Sequence, residues 1–139
     1  MSVGTLHTLP TAVVPHPSGF GVRPWWLDDP TLTVTRVQSS AGGAATCTLT
    51  APGAGYRRRV VQVHCGYDAD PTGGRLTVTN DPGGTPAVLY SVPVTKSGPA
   101  PLPDLLLAGA ENKAVSVVLA AGGGSILADV VVWSVTEAV

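Results

Sequence analysis

From residue 31 onward the chain is a succession of short runs rich in β-branched residues, each closed by a glycine- or proline-bearing turn. No other feature restricts the fold as strongly. Runs this short rarely make helices that bury a face, whereas alternation suits strands with one side in a core. Thr31-Leu32-Thr33-Val34-Thr35-Arg36-Val37 alternates, and Thr46-Cys47-Thr48-Leu49-Thr50 follows a Gly-Gly turn. Arg59 to Cys65, Arg75 to Thr79, Ala87 to Val92, Asp104 to Leu107, Ala114 to Leu119 and Ile126 to Val135 continue the series. Eight runs at near-regular spacing predict an all-β fold, an eight-stranded antiparallel β-sandwich of jelly-roll type over residues 31–139. The 21 Val and 15 Thr favour strand over helix. A competing helix over Leu102 to Ala114 is weakened by Pro103 and Gly109.

Alternation also assigns faces. Val61, Val63 and Cys65 are expected to share the inner face with Leu76 and Val78, and Val115, Val117 and Leu119 form another inward stripe. In the last strand Asp129 disfavours burial of its own set, so Val131, Trp133 and Val135 become an exposed apolar row. Such rows mark interfaces, and this one is expected to hold subunits together.

Residues 1–30 have a different texture. Prolines at 10, 15, 17, 24 and 30 exclude a central strand or a long helix, so the segment reads as an extended, proline-rich N-terminal arm. It nevertheless carries Phe20, Trp25, Trp26 and Leu27. Adjacent tryptophans anchor interfaces well, because they bury large area at little rotamer cost. The arm is therefore expected to lie on a surface: its own domain, a sister subunit or a partner. Capping one end of the sandwich is the structural alternative.

Charge and reactive groups narrow the function further. Only 12 % of residues are charged and the net charge is −1, which excludes a basic nucleic-acid binder. No run is long and apolar enough for a membrane-spanning helix, and no secretory signal opens the chain. His7, His16 and His64 form no metal-ligand spacing, so no metal or cofactor is expected. Asp68-Ala69-Asp70-Pro71-Thr72-Gly73-Gly74 lacks the closing Glu of a calcium loop and reads as a turn, as do Asp28-Asp29 before Pro30. Ala121-Gly122-Gly123-Gly124-Ser125 opens a strand rather than a helix, so it is no phosphate cradle. No nucleophile–base–orienter set exists, and the chain is read as a non-enzyme. Cys47 and Cys65 read as two buried thiols, with a disulfide as the lesser alternative. Arg57, Arg58 and Arg59 concentrate three of the eight basic residues. They read either as a polar clamp for a partner's carboxylates or as a solvated strand entrance.

Ala51-Pro52-Gly53-Ala54-Gly55-Tyr56-Arg57-Arg58-Arg59-Val60-Val61, Gly73-Gly74-Arg75-Leu76-Thr77-Val78, Tyr90 to Thr95, Ala100-Pro101-Leu102-Pro103 and Asn112 to Gly123 together resemble the small head-decoration (cement) proteins of tailed bacteriophages. The resemblance covers roughly residues 45–137 and excludes the arm; the family often has His where this chain has Arg59. It implies a trimeric jelly-roll or tumour-necrosis-factor-like sandwich that seats on the outer surface of the capsid and binds the major capsid protein. With a capsid as partner, Arg57 to Arg59 are expected to be the clamp and Val131, Trp133 and Val135 part of the homotrimer interface; the arm lies outside the resemblance, and Phe20, Trp25, Trp26 and Leu27 are expected to be its capsid-binding residues from their own chemistry. The alternatives are a tail or fibre protein recognising a host glycan, and a carbohydrate-binding module. Loops made almost wholly of Gly, Pro, Ala and Asp, with Tyr56 and Tyr67 the exceptions, disfavour sugar stacking.

Overall fold

β-branched runs with one apolar side form strands because only pairing satisfies their backbone while burying that side. The computed structural model describes residues 11–16 and 19–139, and only the backbone of residues 11–23. The chain divides into two compact units, Met1–Leu32 and Thr33–Val139.

In the first unit, β1 (Thr11–His16) pairs antiparallel with β2 (Gly19–Pro24). The expected extended arm is thus doubled back over its described residues. The prolines permit this because both strands of a two-stranded ribbon are edges, where a missing N–H faces outward at no cost. A short 3-10 turn, Trp25–Asp28, follows. Asp29 then closes the segment: its carboxylate accepts from the Thr31 amide at 2.7 Å and the Thr31 hydroxyl at 2.6 Å. The Asp-Asp-Pro turn expected from sequence is this one.

The second unit is an all-β, jelly-roll-like sandwich of two antiparallel sheets. Its strands are β3 (Thr33–Gln38), β4 (Ala45–Leu49), β5 (Tyr56–Tyr67), β6 (Arg75–Asn80), β7 (Ala87–Pro93), β8 (Gly98–Pro99), β9 (Leu107–Ala108), β10 (Val115–Leu119) and β11 (Ala128–Ala138). One sheet runs β4-β10-β6-β7; the other runs β3-β11-β5-β8, with β9 also paired to β5. Seven of the eight expected runs are strands. The exception is Asp104 to Leu107, where only Leu107 and Ala108 pair. Pro101 and Pro103 remove ladder donors there, and Leu106 takes φ 49°, which breaks an extended run.

Alternation builds the core. Leu76, Val78, Val115, Val117 and Leu119 of one sheet meet Val60, Val63, Cys65, Val130 and Val132 of the other, all nearly or wholly buried. Val61 departs from expectation. Trp133 faces Gln62 while Ser134 faces Val60, so Val61 is the extra residue of a β-bulge. Val60 joins the inter-sheet cluster in its place, and Val61 is buried outside it. Cys47 and Cys65 are free and buried, as small hydrophobes.

Candidate partner-binding face

The register of β3, β11 and β5 sets out a grid on the outer side of the five-stranded sheet. Val34 stands opposite Trp133, which stands opposite Gln62. The next row is Arg36, Val131 and His64, and the third is Gln38, Asp129 and Gly66. These residues alternate with Val130 and Val132, which point into the core. The face mixes an apolar centre with both charge signs. Val34 is 51 % exposed, unusual for a strand valine, and Arg36 and His64 are exposed beside it.

Two contacts order the centre. The His64 and Trp133 rings meet edge to face, centroids 4.6 Å apart at 63°. The Gln62 amide nitrogen lies 3.0 Å from His64 Nε2.

A groove of about 460 Å³ runs along the β5–β8 side of this grid, lined by His64, Gly66, Asp68, Pro99, Asp129 and Val131. Gly66 makes the local geometry possible. A Cβ there would lie 2.7 Å from the Gly98 carbonyl oxygen, so only glycine lets β8 approach so closely. Asp68 is fixed by a two-way pairing with Leu127: its carboxylate accepts from the Leu127 amide at 2.8 Å, while its own amide donates to the Leu127 carbonyl. Tyr67 lines the groove but is only 2 % exposed, and its hydroxyl donates to the Ala120 carbonyl at 2.6 Å. Burial pushes that phenol above its ordinary range.

The structure redistributes the residues singled out from sequence. Arg57, Arg58 and Arg59 are neither a free clamp nor a solvated entrance. Arg57 Nε and Arg59 Nη2 each reach Glu137 Oε1 at 2.7 Å, and Arg59 Nη1 donates to the Leu106 carbonyl at 2.8 Å. Arg58 turns to the opposite side and donates to the Thr50 carbonyl and the Thr136 hydroxyl, both at 2.8 Å. The register explains this: Arg59 faces Val135, Arg58 faces Thr136 and Arg57 faces Glu137 across the β5–β11 ladder. The triplet ties strands together within one chain. The Arg59 hydrogen bond, joined by Arg57, holds the Glu137 carboxyl below its ordinary range against an opposing burial effect.

The expected exposed row also changes. Val135 is fully buried within the single chain, so it offers no surface to a second copy. Arg59 sits directly opposite it and leans to Glu137, two residues further along the same face. Val131 and Trp133 remain half-buried on the outer face. Of the arm residues, Trp26 is 5 % exposed, Trp25 half-buried and Leu27 37 % exposed. Phe20 lies in β2 opposite Pro15, but its side chain falls outside the described residues, as do the His16 side chain and all of His7. Asp70 accepts from the Ser97 amide at 2.8 Å, which ties its loop to the one before β8. Among the described residues no cluster of three or more metal-ligating side chains exists.

The sequence pattern alone does not single out Val34, Arg36, Gln62 and Asp129 as site residues. The alternation of β3 was visible, but its position beside β11 depends on strand order, which short-range pattern does not encode.

No family model matches the chain, and no curated protein does. Solved structures give distant backbone likenesses. The Drosophila NLP core has TM-score 0.43 and 10 % identity, over 78 % of this chain and 99 % of that one. The CBM36-1 domain of a xylanase from the hindgut metagenome of Trinervitermes trinervoides has TM-score 0.39 and 11 % identity, over 93 % and 86 %. The C-terminal CBM6 of LamC from Zobellia galactanivorans has TM-score 0.40 and 13 % identity, over 93 % and 89 %.

Proposed function

We propose that this chain is a non-catalytic attachment protein that decorates a bacteriophage capsid, binding the major capsid protein on the outer surface of the virion as a homotrimer. The observation that carries the reading is the outer face of the five-stranded sheet, where exposed Val34 adjoins half-buried Trp133 and Val131. Apolar surface of this kind on a strand edge is costly in water unless something covers it. The sequence resemblance over residues 45–137 supplies the identity of the partner. Val34, Trp133 and Val131 form the contact between copies in this reading, with Val135 withdrawn from it. Among the arm residues whose side chains are described, Trp25 and Leu27 have surface left to offer a shell.

The test combines mass and binding. Light scattering on the full chain is expected to give three chains of 14.0 kDa, about 42 kDa. Co-sedimentation with purified expanded shells that lack their decoration protein is expected to saturate. A monomer at micromolar concentration removes the trimer, and shells that sediment without the chain remove the capsid. Saturable binding on a glycan array would instead favour the receptor-binding alternative.

A further inference from the structure

The groove beside the grid meets the proposed contact between copies only at Val131, which borders both; the rest of that contact lies toward β3. We propose that it receives a cationic side chain, an arginine or lysine presented by an extended segment of the partner polypeptide. The inference rests on the attachment reading above and names the chemistry of the partner at this site.

Charge and shape converge on that occupant. Asp129 stands between Gln38 of β3 and Gly66 of β5, so no cross-strand side chain covers it on the groove side, and the half-buried carboxylate has no hydrogen-bond or ion-pair partner among the described residues. Asp68 follows Tyr67, the last residue of β5, lines the same groove, and spends one carboxylate oxygen on the Leu127 amide. Among the described residues its other oxygen has no hydrogen-bond partner. Asp68 pairs with Leu127 just beyond the end of the β5–β11 ladder and Asp129 with Gly66 inside it, so both carboxylates line one groove, where a guanidinium can donate to each through its separate N–H groups. Val131, Pro99 and Ala100 supply an apolar wall for the aliphatic stem of such a side chain. Arg36 faces Val131 from the far side of β11 and makes no ion pair among the described residues. A neutral sugar fits less well. Tyr67 is buried with its hydroxyl committed, and Trp133 does not line the groove, so among the described residues no tyrosine or tryptophan ring lies open there for stacking.

The experiment is an amide-shift titration of the full-length chain by nuclear magnetic resonance. The probes are the capped tripeptide acetyl-Ala-Arg-Ala-amide and its citrulline counterpart, which keeps the shape and removes the charge. Saturable shifts at Gly66, Asp68 and Asp129 with the arginine peptide alone are expected, weakened about tenfold or more by Asp129→Asn. Asp129→Glu, which retains the charge, is expected to keep measurable binding and guards against a folding artefact. Equal response to both peptides, an unchanged titration in Asp129→Asn, or no groove shifts at tens of millimolar overturns the proposal. So do saturable groove shifts with a neutral oligosaccharide such as maltohexaose in place of the peptide. Binding of Asp129→Asn to shells separates the two readings. If shells bind wild type and variant alike, the groove assignment fails and attachment stands; if shells bind neither, attachment fails and the titration alone judges the groove.

Discussion

β11 carries the core on one side and the candidate site on the other. Ala128, Val130 and Val132 are wholly buried between the sheets, whereas Asp129, Val131 and Trp133, interleaved with them, keep part of their surface in water. Val130 and Val131 are the same residue type one position apart. The first is stabilised by the full transfer of its side chain, about 1.5–3 kcal/mol, and the second by only part of that. What separates them is neither composition nor local propensity but which side of the sheet a second sheet covers. The largest expected effect tests this division directly. Leu119→Ala, in the opposing sheet and fully buried, is expected to cost about 2–5 kcal/mol in urea unfolding of the isolated chain. Trp133→Ala removes a larger side chain but is expected to cost only about 1–2 kcal/mol, because part of the ring is already solvated. Equal losses would mean that the outer face is a second core rather than a surface held for a partner.

Much of this division was legible in the sequence, and the residues that were not legible share a cause. Alternation identified Leu76, Val78, Val115, Val117 and Leu119 as inward because each strand keeps period two throughout. It failed at Val61, where one inserted residue puts the strand out of phase and hands the core position to Val60. A bulge is set by pairing with a distant strand, so residues 59–65 contain no mark of it. The same holds for the arginines. Three adjacent cations suggest a free patch until β11 places Glu137 and Thr136 across from them, some eighty residues along the chain. Asp68 and Asp129 are brought onto one groove in the same way, by a ladder between distant segments. The apolar stripe of each strand is local information; the partner of each polar side chain is not.

The middle-sized effect sharpens the contrast at the far end of the same strand, where the outer face is closed by charge. Replacing Glu137 with Gln removes the shared acceptor of Arg57 and Arg59. These side chains are 21–34 % exposed, so the expected loss is discounted for solvent to about 1 kcal/mol. The pH dependence carries more information. Because the folded carboxyl is held below its ordinary value, folding is helped by its ionised form. That help is complete above the ordinary carboxylate range near 4.5 and is lost as pH falls through the lower, folded value. Wild type is therefore expected to lose stability between pH 5 and about 3 more steeply than Glu137→Gln, read from urea midpoints across that range. Parallel curves would mean that the arginines find other acceptors and that the triplet is freer than its geometry indicates.

The smallest effect lies on the inner face and is a rate rather than a stability. Cys65 sits between Val63 and Tyr67 on the buried side of β5, and burial pushes its thiol up to about 11. At pH 8 only about one molecule in a thousand would carry the reactive thiolate, before any shielding by the sheets is counted. Cys47, on the opposite sheet, is raised for the same reason, with a hydrogen bond to Thr35 acting against the burial. Iodoacetamide at pH 8 is therefore expected to leave both cysteines unmodified in the folded chain over hours and to alkylate both in urea, as read by intact mass. Rapid alkylation of Cys65 alone would show that the β5 side of the sandwich opens while the rest stays closed. The two faces of the five-stranded sheet would then differ in degree of exposure only, because the buried side would reach solvent through the strand that also floors the groove.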